Sequence, residues 1–148
     1  MNASSSLLEV LAAETGAVRQ FIDLLEDEGL VLAGRSSLTE MRAVTLRKQE
    51  AADVLTSLGE ARDAALLHAG YAAGHAGGDA AAQDDTEVSA AWTDLQSLAA
   101  TAKALNERNG QLIHTQLRGA QAAQRAVRAA SGNDLYGADG RHPGAPRR

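Results

Sequence analysis

Apolar residues recur at spacings of three and four along most of the chain, which is the period of an amphipathic α-helix. The first such stripe spans about residues 5–33. Ser6 and Glu9 have the spacing of a capping box and predict the start of this helix. A seam of this length is typical of long helices that pack nearly antiparallel. Its positions are Leu8, Leu11, Thr15, Val18, Ile22, Leu25, Gly29 and Leu32.

A second helix is predicted over about residues 37–70. A Gly-Arg-Ser segment interrupts the first stripe, and Ser37 and Glu40 then form a second candidate capping box. So short a connection requires the two helices to form an αα-hairpin. Lys48 and Arg62 interrupt the apolar seam of the second helix. We expect their charged ends to reach solvent or a carboxylate of the first helix.

The third predicted helix is the longest and spans about residues 85–131. Four glycines within residues 70–78 precede it and predict a loop. At about 1.5 Å per residue, the third helix would measure roughly 70 Å and the first roughly 45 Å. We therefore predict an all-α, up-down-up bundle of three long antiparallel helices of coiled-coil type. The third helix should extend beyond the others, and residues 116–131 would then lack a complete internal partner.

The composition supports a helical fold. The chain contains 32 Ala and 19 Leu but only seven Val and two Ile, which excludes an all-β or α/β architecture. With 148 residues, one bundle domain is expected over residues 1–132, followed by a flexible C-terminal tail over residues 133–148. No run of 18 apolar residues and no basic, apolar leader is present, so we expect a cytoplasmic protein without a membrane insertion.

Charge is distributed unevenly along the chain. Residues 1–102 carry six Lys and Arg against 16 Asp and Glu, a net charge of −10, whereas residues 103–148 carry eight against three, a net charge of +5. A basic tail is compatible with nucleic acid, but this one has no interleaved aromatic residue except Tyr136 and belongs to an acidic chain. A nucleic-acid partner is therefore not expected.

No group of residues predicts catalysis or metal binding. The four histidines have no spacing with carboxylates that resembles a zinc motif or a proton relay. The glycine-rich segment over residues 74–78 lacks the Lys-Ser/Thr that completes a phosphate-binding loop, and no strand precedes it. We expect a protein that is not an enzyme and that needs no cofactor and no metal.

Three unusual residues lie on the seam of the third helix. Trp92 is interpreted as a core residue, with ligand stacking as the alternative. Asn106 and Asn109 occupy neighbouring seam positions, where an amide costs packing energy unless it finds a hydrogen-bond partner. We interpret them as a buried polar lock on helix register, and direct contact with a ligand stays open as the alternative.

Several segments resemble a known family when taken in order. Residues 106–113 read Asn-Glu-Arg-Asn-Gly-Gln-Leu-Ile, and residues 135–141 read Leu-Tyr-Gly-Ala-Asp-Gly-Arg. A leucine-rich first helix, a second helix with two seam cations and a tryptophan near the start of the third helix precede them. Together they resemble the FlgN family of flagellar type III export chaperones, over nearly the whole chain.

The resemblance implies a chaperone that binds hook-filament junction proteins of the FlgK and FlgL type and delivers them to flagellar export gate components. In that family the C-terminal amphipathic helix binds the client. The matching positions here are Ile113, Leu117, Ala120, Ala123 and Val127, with Arg118, Arg125 and Arg128 beside them. Tyr136 either packs against the bundle or docks on the export gate. The alternative function is a structural coiled-coil protein that self-associates through the third helix.

Overall fold

The computed structural model describes residues 2–131, and the elements in that range are four α-helices. They are α1 (Ala3–Ala33), α2 (Leu38–His68), α3 (Gly74–Asp84) and α4 (Thr86–Ser131). The all-α prediction is confirmed, and the three long helices occur near the predicted positions. The arrangement differs from a three-helix bundle because a fourth, short helix is present. None of the helices in residues 2–131 combines the length and hydropathy needed to cross a bilayer.

Of the two predicted capping boxes, the one at the start of α1 is wrong and the one at the start of α2 is confirmed. Ser6 and Glu9 do not start α1, because the side chain of Asn2 caps the helix four residues earlier by accepting from the backbone N–H of Ser5 at 2.8 Å. The capping box at the start of α2 is confirmed. Ser37 and Glu40 exchange reciprocal side-chain to backbone hydrogen bonds, each of 3.1 Å.

Ion pairs and hydrogen bonds between helices define their directions within residues 1–109. Glu28 pairs with Lys48 and Glu14 pairs with Arg62, so α2 is antiparallel to α1. The first part of α4 is parallel to α1, because its contacts with α1 advance in the same direction along both helices. These contacts join Arg19 to Asp94 and Leu25 to Asn109. The up-down-up order of the three long helices therefore holds in this part of the chain.

Helix α3 corrects the prediction of a loop between residues 70 and 85. It packs on the indole of Trp92 through Gly78, where a Cβ atom would lie only 2.4 Å from Cζ2 of Trp92. A Cβ atom on Gly77 would likewise collide with the carbonyl oxygen of Ala72. Glycine lowers helix propensity, but at these positions it is required for close packing. Tertiary contact therefore overrides the local preference for a loop.

The hydrophobic core lies within residues 1–109 and draws on all four helices. It combines leucines of α1 and α2 with Ala81 of α3 and the first half of α4. The contact positions of α1 follow the predicted seam closely, although Leu7 is more buried than Leu8. The buried residues of the core cluster are Leu7, Leu11, Val18, Leu25, Leu66, Ala81, Val88, Trp92, Leu95 and Ala102.

Candidate functional site

Asn109 is the last fully buried residue of α4, with 0% of its surface exposed. Its Nδ2 donates to the backbone carbonyl oxygen of Leu25 at 2.7 Å and to Oε1 of Glu28 at 3.0 Å. Nζ of Lys48 donates to the same carboxylate oxygen at 3.1 Å. Asn109 thus joins α4 to α1 and, through Glu28, to α2. Its amide is satisfied by a carbonyl and a carboxylate in the interior, as a buried polar group requires.

Gly29 brings α1 and α4 close together beside Asn109. A Cβ atom on Gly29 would lie 2.8 Å from Nη2 of Arg108 and 3.2 Å from Oδ1 of Asn109. The glycine therefore provides the space in which the amide of Asn109 reaches α1. Asn106, which was expected to be buried with Asn109, is exposed. The prediction that both asparagines are buried is therefore wrong. Asn109 forms its hydrogen bonds with α1 without Asn106.

A second polar contact in the core joins Glu14 of α1 to Arg62 of α2. Nη1 of Arg62 donates to Oε1 of Glu14 at 2.6 Å, and the side chain of Glu14 is only 8% exposed. The other carboxylate oxygen of Glu14, Oε2, is buried without a hydrogen-bond donor among the described residues. The guanidinium carbon of Arg62 lies 5.6 Å from the centroid of the Trp92 ring, within cation–π range.

Burial raises the pKa of Glu14 above its ordinary value of 4.5, although the charge of Arg62 and its hydrogen bond act in the opposite direction. Removal of the carboxylate from water is the larger effect. Because burial of a charge is costly, the ionised carboxylate of Glu14 depends on Arg62. No other cation among the described residues lies within hydrogen-bond distance of it.

Glu14→Gln is expected to gain stability relative to the unsubstituted protein as the pH rises. Because folding raises the pKa of Glu14, the folded chain binds this proton more tightly than the unfolded chain. The contribution of this tighter proton binding to the free energy of unfolding is complete below the ordinary pKa of Glu14. It is lost as the pH rises through the pKa of the folded state. Glutamine does not titrate. Urea unfolding between about pH 4 and pH 8 should show a difference that moves in favour of glutamine, and a constant difference would contradict it.

Trp92 is a core residue, which supports the structural interpretation over ligand stacking. Its Nε1 donates to Oδ1 of Asp79 in α3 at 2.9 Å, and its ring centroid lies 5.5 Å from that of His75. Asp79 and His75 were not predicted as partners because the segment that carries them was expected to be a loop. The only sequence signal was the need of a buried indole N–H for an acceptor.

Residues 110–131, named here the exposed segment, belong to the second structural unit of the chain, which begins at Gly110. The segment is helical throughout, and every side chain except that of Leu112 is exposed. Three large apolar side chains are among them: Ile113 is 46% exposed, Leu117 55% and Val127 65%. An amphipathic helix whose apolar side remains in water is a candidate for binding another polypeptide.

The predicted client-binding residues all lie in the exposed segment. Ile113, Leu117, Ala120 and Val127 fall within an arc of about 80° when residues advance by about 100° along the helix, and Gln124 interrupts the same arc. Ala123 borders this arc, and Arg118, Arg125 and Arg128 lie outside it in exposed positions. The segment contains no Asp or Glu. Tyr136 lies outside the described residues.

The fold and the exposed segment define an all-α protein that presents an amphipathic helix to solvent. The sequence model of the FlgN family, described as FlgN protein, matches residues 1–144, and the chain belongs to that family. FlgN proteins are flagellar export chaperones that bind hook-associated proteins, and the family is not one of enzymes. No curated protein and no solved structure showed a significant match.

Proposed function

We propose that this chain is a cytoplasmic chaperone that binds hook-filament junction proteins through the exposed segment and delivers them to the flagellar type III secretion apparatus. Proteins of the FlgK and FlgL type are the proposed clients. The observation that carries the proposal is the exposed apolar face around Ile113, Leu117 and Val127. A helix in this state fits the task of covering a terminal segment of a subunit before assembly.

We expect the apolar face to support reversible binding. Covering about 400 to 600 Å² of apolar surface stabilises a complex by roughly 10 to 15 kcal/mol, before the costs of association and ordering. Those costs are themselves several kcal/mol, so the expected dissociation constant lies between about micromolar and nanomolar. Affinity in this range allows a client to be held and then released at the export gate.

The double variant Leu117→Asp, Val127→Asp is expected to weaken client binding at least tenfold. Each aspartate places a charge in the apolar contact, and burying an unpaired charge is costly. The measurement is calorimetric titration of the full chain with the C-terminal region of a junction subunit. The matched control is Leu46→Asp, Val54→Asp in α2, where the side chains are 61% and 51% exposed. Equal affinity of the face variant and the unsubstituted chain would rule out this face.

Self-association through the exposed segment is the second candidate function. The same exposed apolar side chains favour it, since a second copy would bury them as well as a client would. Sedimentation of the full chain at micromolar concentration separates the two. A tight dimer that the aspartate variant dissociates would favour the structural coiled-coil function, whereas a monomer that binds the junction segment favours the chaperone.

We propose Tyr136 as the residue that docks on the export gate during delivery. Gly132 lies between this tyrosine and the helix in sequence and Gly137 follows it, and an aromatic residue between glycines is suited to a short docking motif. Tyr136→Ala should reduce secretion of the junction proteins while client affinity in calorimetry stays the same. Normal secretion by this variant would argue against a docking role.

A further inference from the structure

The cationic side chains of the exposed segment lie on one side of its apolar face. With residues advancing by about 100° around the helix, Arg128 falls about 20° beyond Leu117, and Arg125 and Arg118 fall about 80° and 100° beyond it on the same side. All three are exposed. The face therefore has one basic edge, named here the arginine edge.

The opposite edge of the same face is uncharged and made mostly of small residues. Gln116 and Ala123 border the face there, and Gly119, Ala126 and the half-buried Leu112 lie farther round the helix. A Cβ atom on Gly119 would meet nothing within 4 Å, so space is open above this edge. Small side chains allow the backbone of a partner helix to approach closely. At the arginine edge the long side chains keep the two backbones farther apart.

The arginines of the exposed segment have no carboxylate of their own segment to pair with. Residues 110–131 include three arginines and no acidic residue, so the helix lacks the i, i+4 ion pairs that neutralise most exposed helices. Arg19, in contrast, pairs with Asp94 at 3.2 Å in the first structural unit. Within residues 2–131 the arginine edge has no ion pair, so its charge can meet an incoming partner.

We propose that the segment bound here is an amphipathic helix with large apolar side chains and with carboxylates along one edge only. This inference rests on the proposed function and adds the chemistry of the client. The large apolar side chains fill the space above the alanine and glycine edge. The carboxylates meet the arginine edge, where each pair adds modest affinity that the reversed docking direction loses.

The one-sided charge also selects the direction in which the partner helix docks. When two helices meet face to face, reversing one of them exchanges the edges that lie opposite each other. An acidic edge on the partner therefore meets the arginine edge in one direction and the uncharged edge in the other. The arginines thus set direction and register, while Ile113, Leu117 and Val127 supply most of the buried apolar area.

Three synthetic peptides test the proposal against the full chain. They share one length and one leucine stripe, and the positions along one edge are all Glu, all Gln or all Lys. Calorimetric titration at low salt should show the Glu peptide binding about tenfold more tightly than the Gln peptide, and the Lys peptide binding more weakly than both. Raising the salt to about 0.5 M should remove most of this difference, because exposed charges are screened.

The triple variant Arg118→Glu, Arg125→Glu, Arg128→Glu should reverse the order of the Glu and Lys peptides. Its helical content, measured by circular dichroism, should change little, because all three side chains are exposed and only Arg128 lies in the last turn, where glutamate opposes the helix dipole. Equal binding of the three peptides, or an order that the triple variant does not change, would overturn the proposal. A dimer of the full chain that none of the peptides dissociates would overturn it as well, since a second copy would then occupy the face.

The outcomes separate this inference from the proposed function. If the junction subunit binds through Leu117 and Val127 but the peptides show no charge preference, the chaperone function stands and the acidic client is wrong. If neither the junction subunit nor any peptide binds the exposed segment, both are wrong.

Discussion

Asn109→Asp is expected to lower the free energy of unfolding by about 3 to 5 kcal/mol, although the side chain keeps its size. The substitution replaces the Nδ2 donor by a second acceptor. That acceptor would lie at the 2.7 Å contact with the carbonyl oxygen of Leu25 and the 3.0 Å contact with Oε1 of Glu28. Two carboxylates would then share one buried position. Lys48 contacts Glu28, and Arg108 donates to the other side-chain oxygen of residue 109 at 3.3 Å, so neither cation supplies the donor that the carbonyl of Leu25 and Oε1 of Glu28 lose.

The pH dependence of this loss identifies its cause. Protonation of either carboxyl group restores one donor between residues 28 and 109, so the deficit should shrink toward acidic pH. Urea unfolding followed by helical circular dichroism at about pH 7 and about pH 4 measures it. The control is Asn106→Asp in the same helix, where the side chain is exposed and the effect should stay within about 0.5 kcal/mol. Equal losses in both variants would contradict the role given to Asn109.

Arg62→Met should destabilise the protein by about 3 to 5 kcal/mol, because it leaves the carboxylate of Glu14 buried without its cation. The contact that is lost includes the 2.6 Å hydrogen bond and the cation–π contact with Trp92. Arg19→Met is the matched control. Its guanidinium pairs with Asp94 at the surface, where the side chains are 60% and 52% exposed, and such pairs contribute about 0 to 1 kcal/mol.

The double variant Glu14→Leu, Arg62→Met distinguishes an unpaired charge from a simple loss of packing. Removing both charges should recover at least about 1 kcal/mol of the loss caused by Arg62→Met alone, because no buried carboxylate remains. Denaturant unfolding of the two single variants and the double variant completes the cycle. Losses that simply add would show that the ion pair does not govern stability at this position.

The long helices could be predicted from the sequence because their apolar residues keep a constant period. Helix α3 could not, since its glycines favour a loop locally and their purpose is visible only in three dimensions. Gly78 leaves space for the ring of Trp92, and Gly77 leaves space for the carbonyl of Ala72. Asn2 and Ser6 are both capable caps, and the chain uses the earlier one, which lengthens α1 by about one turn.

The polar residues of the core were predicted in part. Lys48 and Arg62 were expected to reach a carboxylate of the first helix, and they pair with Glu28 and Glu14, respectively. The sequence did not show that Asn109 shares Glu28 with Lys48, because periodicity gives the face of a helix but not the partner across the interface. Asn106 lies one turn away from Asn109 and yet is exposed.

Exposure of residues 116–131 was predicted from helix length, and the structure extends it to residue 110. Helix α4 has 46 residues whereas α1 and α2 have 31 each, and full burial along α4 stops at Asn109. Helix length and period follow from the sequence of each element. The identity of the polypeptide that covers the exposed face depends on another chain, which is why the client chemistry had to be inferred from the charges at its edges.

Hydrogen exchange of the full chain, with and without the C-terminal region of a junction subunit, tests the central claim most directly. The claim is that residues 110–131 bind the client through their exposed apolar face. We predict that client binding slows exchange of backbone amides in residues 110–131, while amides of α1 and α2 exchange as before. Slower exchange confined to α1 and α2, with no change in residues 110–131, would contradict the claim.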